Sequence, residues 1–91
     1  MATVEAIMDI PMEHEQNVLG QLDKNIKKIE RSFNVTIIDR NGVLKIIGDE
    51  ADTDKAKNVI KNLLQLSQRG NTITEQNVDY AISLKIGRAH V

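Results

Sequence analysis

Apolar residues recur along this chain with two different periods, and the switches between them mark out its elements. Val4, Ala6, Met8 and Ile10 alternate with polar neighbours, the period of a half-buried strand over Thr3 to Ile10. Pro11 ends that strand because it donates no ladder hydrogen bond. Met12 to Leu19 reads as a short helix, interrupted at Gly20. Ile26, Ile29 and Phe33 then fall three and four apart, one face of a helix over Lys24 to Phe33. Val35 to Arg40 and Val43 to Ile47 are β-branched strands joined by Asn41-Gly42, the pair suited to a two-residue hairpin turn.

A longer helix is expected from about Thr53 to Arg69, burying Ala56, Val59, Ile60, Leu63 and Leu64. Asp52 or Thr53 is the expected cap at its start, and Gly70 stands where a left-handed residue closes a helix. A last helix follows Thr74, a good N-cap, with Ile73 placed to staple onto Val78. Val78, Ala81 and Ile82 face inward. The order β-α-α-β-β-α with one added C-terminal helix predicts an α+β domain: a three-stranded sheet with helices on one face. Alternation sends Val35, Ile37, Leu44 and Ile46 toward those helices. It leaves Ile38, Arg40, Val43, Lys45 and Ile47 on the open face, a candidate interaction surface.

Composition narrows the chemistry. With 91 residues the chain makes one domain. Its aromatics are Phe33 and Tyr80, so the core is aliphatic. A net charge of -1 argues against a globally basic nucleic-acid binder, though a local basic patch is compatible with it. The absence of cysteine excludes disulfides, thiolate zinc sites and cysteine catalysis. No apolar run approaches the roughly 20 residues of a membrane span, and the N-terminus lacks a secretory pattern. The expected location is the cytoplasm.

The acid-rich runs do not assemble a catalytic site. His14 lies between Glu13 and Glu15, but adjacent helix positions point apart, so a solvated first turn is expected. The run Asp49 to Asp54 lacks the glycine and distal glutamate of a calcium loop and reads as loop and cap. No enzymatic activity, cofactor or metal is expected of this chain. The end of the chain, "IGRAHV", can be encoded as ATC GGA AGA GCA CAC GTC, which resembles the start of a sequencing adapter. The domain is therefore expected to span residues 3–84, with residues 85–91 an appended artefact or disordered tail.

The segment "VLGQLDKNIKKIE" carries the functional question. Its spacing resembles the KH fold of the type I arrangement, in which a Gly-x-x-Gly loop between two helices clamps a nucleic-acid backbone. The family pattern falls on Leu19, Gly20, Asp23, Ile26 and Ile29, and departs at the second glycine, which is Asp23. The candidate nucleic-acid loop is thus Gly20, Gln21, Leu22, Asp23 and Lys24, with Lys27 and Lys28 one turn on. Asp23 is expected to cap the following helix with its carboxylate and to repel phosphate there.

The longer combination "LGQLDKNIKKIE", "VTIIDRNG", "LKIIGD" and "RGNTITEQNVDYAISL" resembles the N-terminal domain of PhoH-like proteins. In that family the loop commonly carries Gly-x-x-Asp, as Gly20 and Asp23 do, and Glu30, Arg69, Gly70, Ile73, Thr74 and Val78 match further motif positions. The resemblance implies a cytoplasmic protein tied to RNA metabolism and phosphate starvation. It also implies a P-loop ATPase domain following this module, where ATP and magnesium would bind. This chain has no Gly-x-x-x-x-Gly-Lys-Ser/Thr run. Three roles stay open: an accessory domain touching single-stranded RNA, an assembly module orienting the ATPase domain or neighbouring subunits, or a free-standing small binding protein.

Overall fold

The structure, a computed structural model, describes residues 2–86. Strand β1 (Val4–Asp9) leads into helix α1 (Met12–Leu19), a single 3-10 turn (Gln21–Asp23) and helix α2 (Lys24–Phe33). The hairpin β2 (Thr36–Arg40) and β3 (Val43–Gly48) follows, then helices α3 (Glu50–Gln68) and α4 (Glu75–Ile86). The sheet runs in the order β1-β3-β2, and both pairings are antiparallel. It is a three-stranded α+β domain of the type I KH arrangement, with the expected added helix.

The alternation read from the sequence fixes which face is covered. Val35, Ile37, Leu44 and Ile46 are buried against the helices with Ile10, Val18, Ile26, Ile29 and Phe33. Val59, Ile60 and Leu63 of α3 and Val78 of α4 are fully enclosed in the same aliphatic core. Asn41 and Gly42 take φ of 55° and 85°, the two positive values that a twisted two-residue hairpin requires. The backbone amide of Ile10 donates to the Gly42 carbonyl at 2.7 Å, tying the end of β1 to that turn.

Several boundaries differ from expectation: β1 spans Val4–Asp9 rather than Thr3–Ile10, β3 runs on to Gly48, and α3 ends at Gln68. Helix α3 begins at Glu50, not Thr53. Its cap is Asp49, whose Oδ1 accepts from the Asp52 amide at 2.9 Å, rather than Asp52 or Thr53. Thr53 is instead buried, its hydroxyl donating to the Glu50 carbonyl at 3.1 Å. In a run rich in acids and threonine, several residues have capping chemistry; Thr53 is buried on the core face of α3, and the earlier Asp49 caps it. Leu64 is only half-buried, and Ser67 takes the last inward position of α3. Strand β2 starts at Thr36, because the Val35 amide is drawn to the Glu30 carbonyl at 3.2 Å.

Both ends of the α3–α4 connection follow expectation. The Asn71 and Gly70 amides donate to the Leu66 and Ser67 carbonyls at 3.1 and 3.0 Å, the paired bonds of a Schellman close. Thr74 Oγ1 accepts from the Asn77 amide at 3.2 Å, while Asn77 Oδ1 accepts from the Thr74 amide at 2.9 Å. Lys85 and Ile86 continue α4; residues 87–91 of the expected tail lie outside the described residues.

Candidate nucleic-acid interface

The loop between α1 and α2 is built on backbone conformations that side chains rarely adopt. Gly20 has φ 85° and ψ 161°, a region essentially reserved for glycine. A Cβ there would also lie 2.8 Å from Asn25 Cγ. Asn25 is buried, and its Nδ2 donates to the Val18 carbonyl at 3.1 Å, latching the start of α2 to the last turn of α1. Leu22 and Asp23 are both left-handed, with φ of 57° and 59°. For Leu22, which is 86% exposed and anchored by no packing, that costs about 1–2 kcal/mol.

Asp23 does not cap α2 as expected. Its carboxylate makes no hydrogen bond to the first-turn amides. A capping side chain works from extended backbone at the N-cap, and the left-handed turn at Asp23 directs its carboxylate elsewhere. Aspartate is tolerated here because its short polar side chain is among the few compatible with this conformation. Asp23 is thus left-handed at the position of the pattern's second glycine and adds a negative charge there.

That charge is not isolated. A cleft of about 330 Å³ beside the loop is lined by Glu15 of α1, Asp23 of the loop and Asp39 of β2, with Gly20, Gln21 and Leu22 at its rim. Among the described residues no lysine or arginine lines it. Carboxylates on one open cleft repel an incoming anion, an effect that salt screens. A phosphate entering this cleft meets three carboxylates and, among the described residues, no counter-charge.

The expected basic residues point elsewhere. Lys24 and Lys27 are exposed on α2 and line no part of the acidic cleft. Lys28 is held by the added helix: its Nζ pairs with Asp79 at 2.6 Å and Glu75 at 2.8 Å. Hydrogen bonding to Asp79 and then Glu75 raises the Lys28 pKa above its ordinary value. Of the candidate loop residues, the structure places Gly20 to Asp23 at the cleft and ties Lys28 to α4.

On the opposite side lies the sheet face that the helices leave uncovered, with Lys45 and Ile47 half-buried. Register sets Ile7, Lys45 and Ile38 in one row across the three strands, with Asp9, Val43 and Arg40 in the next. Ile7, Ile38 and Val43 are 57%, 38% and 42% exposed. Lys45 Nζ lies 3.9 Å from Glu5. Ile7 adds to the face expected from β2 and β3 alone; the same alternation that turns Ala6 and Met8 toward the core sends it outward.

Three polar residues have structural roles that local sequence does not disclose. His14 is not a solvated first-turn residue: its Nδ1 lies 2.7 Å from Ser67 Oγ, joining α1 to α3. Asn17 Nδ2 donates to Ser67 Oγ and to the Asn71 carbonyl at 2.9 and 2.8 Å, and its Oδ1 accepts from the Ile73 amide at 2.9 Å. Glu30 Oε2 accepts from the Ile37 amide at 2.8 Å, satisfying a donor on the outer edge of β2. Among the described residues no group of three or more histidine, cysteine or acidic side chains is gathered to hold a metal ion. No described helix is long and apolar enough to cross a membrane.

The KH domain family profile matches residues 5–62. A PhoH-like protein of Mycobacterium tuberculosis strain H37Rv is 26% identical over 86 residues, 94% of this chain and 24% of its own. A PhoH-like protein of Bacillus subtilis is 31% identical over 68 residues, 75% of this chain and 21% of its own. The chain thus spans about a quarter of the length of these relatives. Among solved structures, a protein of unknown function from Aeropyrum pernix superposes with a TM-score of 0.71 at 16% identity, over 92% of this chain and 47% of that one. The first type I KH domain of human Vigilin gives 0.65 at 20% identity, over 82% and 84%. These two likenesses concern the fold alone.

Proposed function

The chain belongs to the KH domain family, and from that premise we propose that it is an accessory, non-catalytic domain of a PhoH-like protein whose KH-type contact with RNA is weak. KH domains commonly grip single-stranded nucleic acid by bringing phosphates against the loop between their first two helices. The observation that carries this reading is the lining of the corresponding cleft by Glu15, Asp23 and Asp39, with no cation beside them among the described residues. The loop turns through left-handed Leu22 and Asp23, and its charge opposes a phosphate. ATP and magnesium belong, in this reading, to the remainder of the longer relatives, and the domain supplies orientation and contact.

A second reading has its own observation. Ile7, Ile38 and Val43 form an exposed apolar row and corner on the uncovered sheet face, flanked by Arg40 and Lys45. A sheet face of this kind suits docking against a neighbouring domain or subunit. The two roles are compatible because they use opposite sides of the fold. Titration with single-stranded RNA, comparing the natural chain with one whose cleft acids are neutralised, tests the first; disruption of the open face in a full-length PhoH-like protein tests the second.

A further inference from the structure

We propose that the cleft between α3 and α4 is a stacking site for a single purine base, adenine foremost, offered by a free nucleotide or by single-stranded RNA. Helix α4 has more apolar surface than the core uses. Val78, Ala81 and Ile82 are buried, yet Tyr80 and Leu84, four apart on the other side, are 66% and 54% exposed. They line an open groove of about 380 Å³ together with Leu66 of α3, wide enough for one stacked base rather than an enclosed ligand.

The polar groups at this cleft are amides rather than charges. Asn62, Gln65 and Asn77 line it, and no charged side chain does among the described residues. Asn77 Oδ1 is committed to Thr74, which leaves its Nδ2 to donate. The Asn62 and Gln65 carboxamides have no hydrogen-bond partner among the described residues. One exposed ring beside uncommitted carboxamides is the chemistry that reads a base. The ring stacks on its face, while a carboxamide pairs in bidentate fashion with the N6 and N7 edge of adenine. An apolar helix seated here would instead leave those amides desolvated and unpaired. Lys61 and Arg69 flank Gln65 at four-residue spacing, both exposed, where they can meet the attached phosphates without entering the cleft. The site is separate from the acidic cleft and stands whether or not that cleft touches RNA.

Tyr80 is the only tyrosine and the chain has no tryptophan, so intrinsic fluorescence reports directly on this ring. The 91-residue chain is titrated with AMP, hexa-adenylate and hexa-cytidylate, with backbone amide spectra recorded in parallel. The expected result is saturable quenching by the adenine ligands, with shifts centred on Gln65 and Tyr80. Equal affinity for AMP and hexa-adenylate points to a free nucleotide; markedly tighter hexa-adenylate points to a strand. Tyr80→Phe should retain the amide shifts, and Tyr80→Ala should weaken binding roughly 5- to 100-fold without changing the melting curve. Gln65→Leu should remove the preference for adenine over cytosine. No saturable quenching or shift at millimolar ligand, shifts confined to Gly20–Asp23, or unchanged binding in Tyr80→Ala would overturn the proposal. So would a site that takes up an apolar helical peptide and no base.

Discussion

The carboxamide of Asn25 occupies the space that a side chain on Gly20 would need: a Cβ on Gly20 would lie 2.8 Å from Asn25 Cγ and 2.9 Å from its Nδ2. The same carboxamide bonds the Val18 carbonyl, so closure of the loop and the latch between α1 and α2 depend on one contact. Gly20→Ala should destabilise the fold by about 1–3 kcal/mol from the backbone conformation alone, with the clash in addition. Asn25→Ala should cost about 1–3 kcal/mol by leaving a buried carbonyl unpaired. Because Asn25→Ala also removes the clash, the double variant should be less unstable than the sum of the two, measured by urea unfolding of all four proteins. Strict additivity would show that the two residues are not coupled.

Asn17 is the hub that fixes the α3–α4 connection, with bonds to Ser67, Asn71 and Ile73. Asn17→Ala should lower stability by about 1–3 kcal/mol. Amide exchange should speed up first at Ile73 and the start of α4, while the β2–β3 hairpin keeps its protection. Uniform acceleration across the chain would mean that Asn17 serves global stability only.

Much of this fold is legible in the sequence, and what is not has a common cause. The bounds of α1 and α2, the hairpin turn at Asn41-Gly42 and the buried and open faces of the sheet follow from periodicity and turn chemistry, which are local. The roles of Asn17, Lys28 and His14 are not legible because their partners lie 47 to 56 residues away, and no local pattern marks them. Asp23 illustrates a different limit. Its residue type suits both a capping side chain and a left-handed backbone, and only the course of the loop decides between them. The acidic cleft is half visible: spacing singles out Asp23, but Glu15 and Asp39 join it only once α1 and β2 are packed side by side.

The α2–α4 contact predicts a dependence on alkaline pH. Asp79 and Glu75 raise the Lys28 pKa in the folded state. The pair therefore contributes its full stability below the ordinary lysine value of 10.5, and loses it as pH climbs through the raised folded value. Exposed pairs contribute about 0.2–1 kcal/mol, and both acids here are more than half exposed. Lys28→Met should thus flatten the loss of stability above pH 10.5 and reduce its salt sensitivity at neutral pH. Denaturant midpoints across pH measure both. An identical alkaline profile in the variant would remove Lys28 as the responsible group.

The open sheet face should tolerate charge within the isolated domain. Ile38→Glu with Ile47→Lys is expected to keep the far-ultraviolet circular dichroism of the natural chain, since Ile38 is 38% exposed and Ile47 is only half-buried. In a full-length PhoH-like protein carrying the equivalent changes, sedimentation should reveal weakened assembly. A fragment that fails to fold would show the face to be core. Normal assembly would leave the row as ordinary surface.

We propose that charge, rather than loop shape, weakens the KH-type contact with RNA. Fluorescence titration of labelled single-stranded RNA at two salt concentrations measures it most directly, comparing the natural chain with a variant carrying Glu15→Gln, Asp23→Gly and Asp39→Asn. The variant keeps the left-handed turn, which glycine adopts freely. The carboxamide oxygen introduced by Asp39→Asn can still accept from the Gly42 amide, as Asp39 Oδ1 does at 3.3 Å. Binding by the natural chain should be weak, and the variant should bind at least ten-fold more tightly, about 1.4 kcal/mol, with the gain shrinking at high salt and amide shifts at Gly20 to Lys24. Tight, cleft-centred binding by the natural chain that neutralisation leaves unchanged would contradict the account.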